Sequence, residues 1–245
     1  VCTLTWWSNS EGYEVFFNRD ERKGRKPALP PSVQTNAAGD KYLAATDGDA
    51  GGTWLLANAH GISLAILNYY EREPDETDTQ SYRSRGLLVT DLASCRSLED
   101  IHKRLSQEEM PQYKAFTLMG FQLDSHIRVW LWRWDGSKLI GPELDPTMPV
   151  CSSSFLTAEV VAQRERMLED ILLSGPMNEE MLDEFHHQDD GGKPSAYTVR
   201  MNRDDAQTWS ISRLRVTHLQ ASFRYEALQR DHIGESEFFS AELQQ

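Results

Sequence analysis

Residues 2–21, CTLTWWSNSEGYEVFFNRDE, decide the fold. The runs CTLTWW and YEVFF are rich in β-branched and aromatic side chains, which suit a pleated, half-buried surface. Between them SNSEG is turn chemistry, with Asn9 and Gly12 able to take positive φ. The pattern predicts a β-hairpin. With the turn centred near Ser10, opposed positions sum to about 20, to within a residue or two set by the turn type. Cys2 then faces Asn18, and the thiol shares one end of a two-stranded ribbon with the polar run Asn18-Arg19-Asp20-Glu21.

The remaining chain continues to switch period. Thr53 to Ala57 and Ile62 to Asn68 are short apolar runs around NAHG, a second hairpin. EREPDETDTQSYRSRG, 71–86, is polar, acidic and Pro-containing, and reads as an exposed loop. Ser97 is placed to cap a helix carrying Leu98, Ile101 and Leu105 on one face, with Asp100 at the capping-box position. AFTLMGFQL and IRVWLWRWDGSKL are strands. The second has Val129 and Leu131 on one face and Trp130, Trp132 and Trp134 on the other, and is expected to be central and covered on both sides. A long helix runs from Thr157 to the Gly175-Pro176 stop, and Asn178 caps a shorter one with Met181, Leu182 and Phe185. AYTVRM, TWSISRLRVT and ASFRYEAL read as a terminal meander of strands.

Blocks of antiparallel strands separated by helical blocks define an α+β protein with helices on the outer faces of packed sheets. The 245 residues, without a linker or internal repeat, are expected to form a single domain. Lys and Arg number 25 against 38 acids, a net charge of -13, which argues against a nucleic-acid partner held by phosphate neutralisation. No apolar stretch reaches the roughly 18 residues of a membrane span and no signal-peptide pattern opens the chain, so a cytoplasmic location is expected. Cys2, Cys95 and Cys151 are odd in number and lack CxxC spacing, so each is expected to be a free thiol.

Four motifs in order, Cys2, NRDE at 18–21, GGTWL at 51–55 and LNY at 67–69, resemble the NRDE family, also called the transport and Golgi organisation family. That family in turn resembles the N-terminal-nucleophile (Ntn) hydrolases of the penicillin V acylase and bile salt hydrolase type. The resemblance implies a four-layer αββα sandwich, two antiparallel sheets between helical layers. It also implies a cysteine amidohydrolase that cleaves a linear amide through a thioester. Cys2 would be the nucleophile and its own α-amine the base, since reference values near 8.5 and about 7.7–8.0 lie within a unit. Arg19 would favour the thiolate, Asp20 would hold the amine, and Asn68 would donate to the oxyanion. Ser153, in PVCSSSF, stands where the family shows a second oxyanion Asn; Arg203 is the candidate for a second site arginine, with Arg200 behind it. Asn18 and Trp54 are assigned to the substrate-binding wall. Val1 precedes Cys2; read as a GTG start codon it would be translated as Met and removed, leaving the Cys2 amine free.

Arg19 and Asp20 are adjacent, and on a continuing strand they point to opposite faces. No metal or cofactor is expected. DGDAGG, 47–52, lacks an acidic ligand at 51 and has Asn58 where a calcium loop needs a bidentate Glu. HHQDD, 186–190, reads as a solvated helix end. The expected partner is a small-molecule amide or acyl ligand. The alternative is a non-catalytic binding or carrier protein on the same scaffold; a purely scaffolding protein would have no polar pocket at the hairpin end.

Overall fold

The computed structural model describes residues 2–70, 80–191, 195–228 and 236–244. Among the described residues thirteen strands form two antiparallel sheets. The first contains β1 (Cys2–Ser8), β2 (Gly12–Arg22), β10 (Val150–Ser152), β11 (Ala206–Thr217), β12 (Gln220–Leu228) and β13 (Ser236–Gln244), in the order β10-β1-β2-β11-β12-β13. The second contains β3 (Leu29–Thr35), β4 (Lys41–Thr46), β5 (Leu55–Asn58), β6 (Ile62–Asn68), β7 (Phe116–Leu123), β8 (Ile127–Trp134) and β9 (Leu139–Leu144), in sequential order. Helices α1 (Arg85–Asp91) and α2 (Leu98–Gln107) lie against the second sheet, and α3 (Thr157–Leu172) and α4 (Glu179–His187) against the first. The layers are αββα, as expected. Among the described residues no helix is long and apolar enough to cross a membrane.

Strict alternation along the opening hairpin builds the layers. Leu4, Trp6, Tyr13, Val15 and Phe17 enter the core between the sheets, where Phe121 of β7 meets Trp6 and Tyr13 at ring separations of 5.7 and 5.9 Å. Phe16 faces the other way and packs with Leu168, Leu182 and Phe185 of α3 and α4. The turn is closed by a side chain and not by positive φ. Asn9 Oδ1 accepts from the amides of Glu11 and Gly12 at 2.8 and 3.1 Å, and neither Asn9 nor Gly12 has positive φ. Gly12 is needed for space instead, because a Cβ there would sit 2.0 Å from the Val216 carbonyl oxygen of β11. The register pairs Cys2 with Arg19 rather than Asn18, one residue from the turn arithmetic.

Several other expectations need amending. AYTVRM is not a strand: residues 196–201 bend, with Ser195 and Asn202 bridging at their ends. Leu29–Thr35 is a strand despite Pro30 and Pro31, which is tolerated because β3 is the edge of its sheet. The strand β8 is next to the opposite edge rather than central, and Trp130 is only half-buried. Trp132 is fully buried over Gly120, where an added Cβ would lie 3.0 Å from its ring and 2.8 Å from Leu98 of α2. The helix caps match the pattern: Ser97 accepts from the Asp100 amide and Asn178 from the Met181 amide. Asp100 returns its bond to the Arg96 amide rather than to Ser97. Of the predicted loop 71–86, residues 71–79 lie outside the described residues, and Arg85 and Gly86 already belong to α1.

Candidate active site

The pairing of Cys2 with Arg19 places both side chains on the sandwich-facing side of the first sheet, at its open end. There a cavity of about 350 Å³ is lined by Cys2, Arg19, Glu21, Asp47, Trp54 and Asn68, with Arg25, Arg83, Arg85 and Lys114 adding positive charge. One wall exists because two glycines let α1 approach the chain entering β5. A Cβ on Gly52 would fall 2.3 Å from the Gly86 carbonyl carbon, and the Thr53 amide donates to the Gly86 carbonyl at 3.1 Å. The GGTWL motif is thus a close backbone approach that seats Trp54 beside Arg19.

Cys2 is held from two strands. Its backbone nitrogen donates to Ser152 Oγ of β10 at 3.1 Å, and its sulfur lies 3.9 Å from the Asp20 carbonyl oxygen. Burial pushes the thiol up to about 11, and the Asp20 and Glu21 carboxylates add to the rise. Arg19 does not reverse this. Its guanidinium lies 4.4 Å from the Trp54 ring centroid, bonds to Asp47 and sits 3.6 Å from Glu21, so its charge is met by carboxylates. The same Asp47 binds Arg25 at 2.7 Å and accepts from the Asp49 and Ala50 amides. Asp47 is therefore the organiser of the DGDAGG turn, a role visible only once the turn lies beside β2.

Alternation along β2 splits the NRDE motif. Asn18 and Asp20 point away from the cavity into the helical layer. The Asn18 amide nitrogen donates to the His186 and Val199 carbonyls at 2.9 and 3.0 Å, and its oxygen bonds to His186 Nδ1 at 2.7 Å. Every hydrogen-bonding atom of Asn18 is used, which removes it from the substrate wall. His186 completes that group through Thr5 at 2.8 Å and is fully buried, so HHQDD is not a solvated helix end; burial drives this imidazole well below its ordinary value. Its neighbour His187 bonds to Glu226 of β12 at 2.8 Å.

The remaining candidates separate. Asn68 lines the cavity at the end of β6 and donates to the Tyr70 hydroxyl at 2.7 Å. Ser153 is fully buried and turned away, its hydroxyl donating to the Phe155 carbonyl at 2.6 Å ahead of α3; Ser152 is the serine at Cys2. Arg203 pairs with Asp205 at 2.7 Å, covers Phe155, and lines a separate cavity with Asp190 and Tyr197. It does not line the Cys2 cavity. Arg200 pairs with Asp189 at 3.7 Å. Arg83 and Arg85, which do reach the cavity, stood in the sequence as part of a polar loop. Val1 lies outside the described residues.

Solved structures bear out the αββα fold. The chain is similar to a cysteine-to-alanine mutant of conjugated bile acid hydrolase from Clostridium perfringens, with a TM-score of 0.55 at 12% identity, covering 98% of this chain and 92% of that one. It is equally similar to an arginine-to-leucine variant of the same hydrolase, TM-score 0.55 at 13% identity with the same coverage. No curated protein matches the sequence. Residues 2–214 match the TANGO2 family, Transport and Golgi organisation 2, and the chain belongs to that family.

Proposed function

We propose that this chain is a cysteine amidohydrolase that cleaves a linear amide through a thioester on Cys2. The observation that supports the reading is that Cys2 lines the cavity while its nitrogen bonds to Ser152 and Arg19 pairs with it across the ribbon. In this reading Cys2 is the first residue of the mature chain, and its free α-amine takes the thiol proton as sulfur attacks the substrate carbonyl. The C–N bond then breaks, the amine product leaves with that proton, and water hydrolyses the thioester. The Asn68 side-chain amide donates to the oxyanion, and Trp54 forms a wall for the acyl group.

Burial disfavours the Cys2 thiolate, so proton transfer to the α-amine ahead of attack is uphill. Thiolate formation must therefore be concerted with attack or follow a rearrangement of Arg19. The same observation favours a second reading, a binding protein with the same cavity and no turnover, since Arg19 is engaged by Asp47.

Intact mass spectrometry of protein made from its own start codon is the first measurement, followed by incubation with hexanoyl and phenylacetyl p-nitroanilides. The expected result is a Cys2 terminus, release of p-nitroaniline, and an acyl adduct on the Cys2 peptide that Cys2→Ala lacks. A Cys2 terminus with neither adduct nor release would leave the binding reading.

A further inference from the structure

Helix α3 carries one residue out of character with its buried stripe. Val160, Arg164 and Leu168 follow at four-residue spacing, and Arg164 is fully buried between the two apolar residues of that stripe. A guanidinium there is costly unless paired and hydrogen-bonded. Its Nη1 donates to Thr3 Oγ1, its Nη2 donates to the Thr198 carbonyl at 2.7 Å, and Nη2 lies 3.7 Å from Asp20 Oδ2. The other carboxylate oxygen, Asp20 Oδ1, accepts from Thr208 Oγ1 at 2.6 Å.

Thr208 reaches Asp20 because of a local irregularity. Thr208 pairs with Asp20, but Ser210, two residues on, pairs with Arg19, so β11 has a bulge at Trp209. The extra residue puts Thr208 on the helical face while Ser210 pairs on the Arg19 side. Asp20 itself joins the two faces: its side chain lies among Arg164 and Thr208, and its carbonyl oxygen is the one beside the Cys2 sulfur. Asp20 Oδ2 is buried and has no hydrogen-bond partner among the described residues.

We propose that Arg164, together with Thr208, is a positioning residue that holds the Asp20 carboxylate ionised and in a fixed orientation behind Cys2, leaving Oδ2 to accept from the Cys2 amine. The inference rests on the proposed role of Cys2. Arg164 touches neither sulfur nor substrate and acts through Asp20. Burial pushes the Asp20 carboxyl up to about 6 against the pull of Arg164. Besides Arg164 of α3 and Thr208 of β11, Cys151 of β10 shares the Asp20 face, Cys2 of β1 and the strand neighbour Glu21 act on it from the cavity side, and His186 of α4 faces Arg164.

The test is an NMR titration of the full chain labelled at its aspartate carboxyls, with the Asp20 signal assigned by its loss in Asp20→Asn. Wild type should show an inflection near 6. Arg164→Gln should move it upward by about one unit or more, a tenfold rise in proton affinity. Arg164→Lys should restore most of the shift, and the acidic limb of kcat/KM on the p-nitroanilide should follow the NMR inflection. A folded Arg164→Gln with the Asp20 inflection unmoved overturns the proposal. Should that variant not fold, Thr208→Val decides: an upward shift of about half a unit supports the proposal and no shift overturns it. Wild type without turnover but with these shifts would end the hydrolase reading and keep the Asp20 anchor; turnover without the shifts would do the reverse.

Discussion

Replacing Asp47 with Ala removes the carboxylate that binds both Arg19 and Arg25. Arg19 is 3% exposed, and after the change its remaining partners are Glu21 at 3.6 Å and the Trp54 ring at 4.4 Å. Breaking a buried ion pair by deleting one partner costs about 3–5 kcal/mol, against about 0–1 for an exposed pair. Asp47 is 12% exposed and Glu21 stays 3.6 Å from the Arg19 guanidinium, so the loss expected is about 2–4 kcal/mol, below that of a fully buried pair. For a chain of this size about 3 kcal/mol is a fall of roughly 6–12 °C in Tm. The pH dependence supplies a second check. Burial alone would raise the Asp47 carboxyl, but the Ala50 amide and the two guanidiniums outweigh it and hold the group below its ordinary value. A carboxyl lowered in the folded state stabilises above its unfolded value, about 3.9, and loses that contribution as pH falls through the folded one. Urea denaturation of both proteins should show the full gap at pH 7 and a narrower one below about pH 4. A gap under about 1 kcal/mol at pH 7, or one as wide at pH 2.5, would refute the assignment of Asp47 as the organiser of this wall.

Gly52→Ala drives a Cβ into the α1 backbone and should cost about 1–3 kcal/mol, with the cavity wall displaced, read by urea denaturation and by altered quenching of Trp54 fluorescence. A change within about 0.5 kcal/mol would mean that the wall yields freely. In the protein that retains Val1, alkylation of Cys2 by iodoacetamide should keep rising roughly tenfold per pH unit beyond pH 9, because the thiol is at about 11. Cys95 and Cys151 also lie near 11, so a plateau at Cys2 below pH 8 would show an activated thiolate instead. His186→Gln should flatten part of the acid limb of stability. A buried imidazole held well below its ordinary value stabilises above about pH 6.5 and loses that contribution progressively as pH falls below it. Asp20, raised, and His187, raised by Glu226, slope the other way but persist in both proteins, so the difference between them isolates His186.

The layers were legible because alternation along 2–21 and helical spacing along 157–172 are strong, local signals. The register error of one residue came from the turn: Asn9 closes it with its side chain, which a positive-φ turn would not require. The strand at 29–35 was hidden because proline reads as a breaker, and only the edge position of β3 makes it tolerable. In the candidate site, Cys2, Arg19, Trp54 and Asn68 come together as the motifs suggested, since each lies at or near the end of a strand whose pairing brings it there. Ser152, Asp47, Arg83 and Arg164 were not legible. Their roles depend on contacts 28 to 161 residues apart in sequence, and a lone arginine on an amphipathic helix looks like one more surface charge.

The NRDE segment gains its meaning from the pleat. Arg19 and Glu21 belong to the cavity, while Asn18 and Asp20 belong to a buried polar group under α3 and α4. A polar run on a strand would ordinarily mark a solvated end, yet Asn18, Arg19 and Asp20 are all buried. Four polar residues survive there because each face supplies its own partners: Asp47 and Trp54 on one side, His186, Thr208 and Arg164 on the other. Polar groups satisfied in this way fix the strand's register, since a slip of one residue would exchange the two faces and leave both sets of partners unmatched. The motif therefore locks β2 in the register that sets Arg19 opposite Cys2. Its two faces have separable consequences: the inner pair governs the charge beside the thiol, and the outer pair governs the carboxylate behind it.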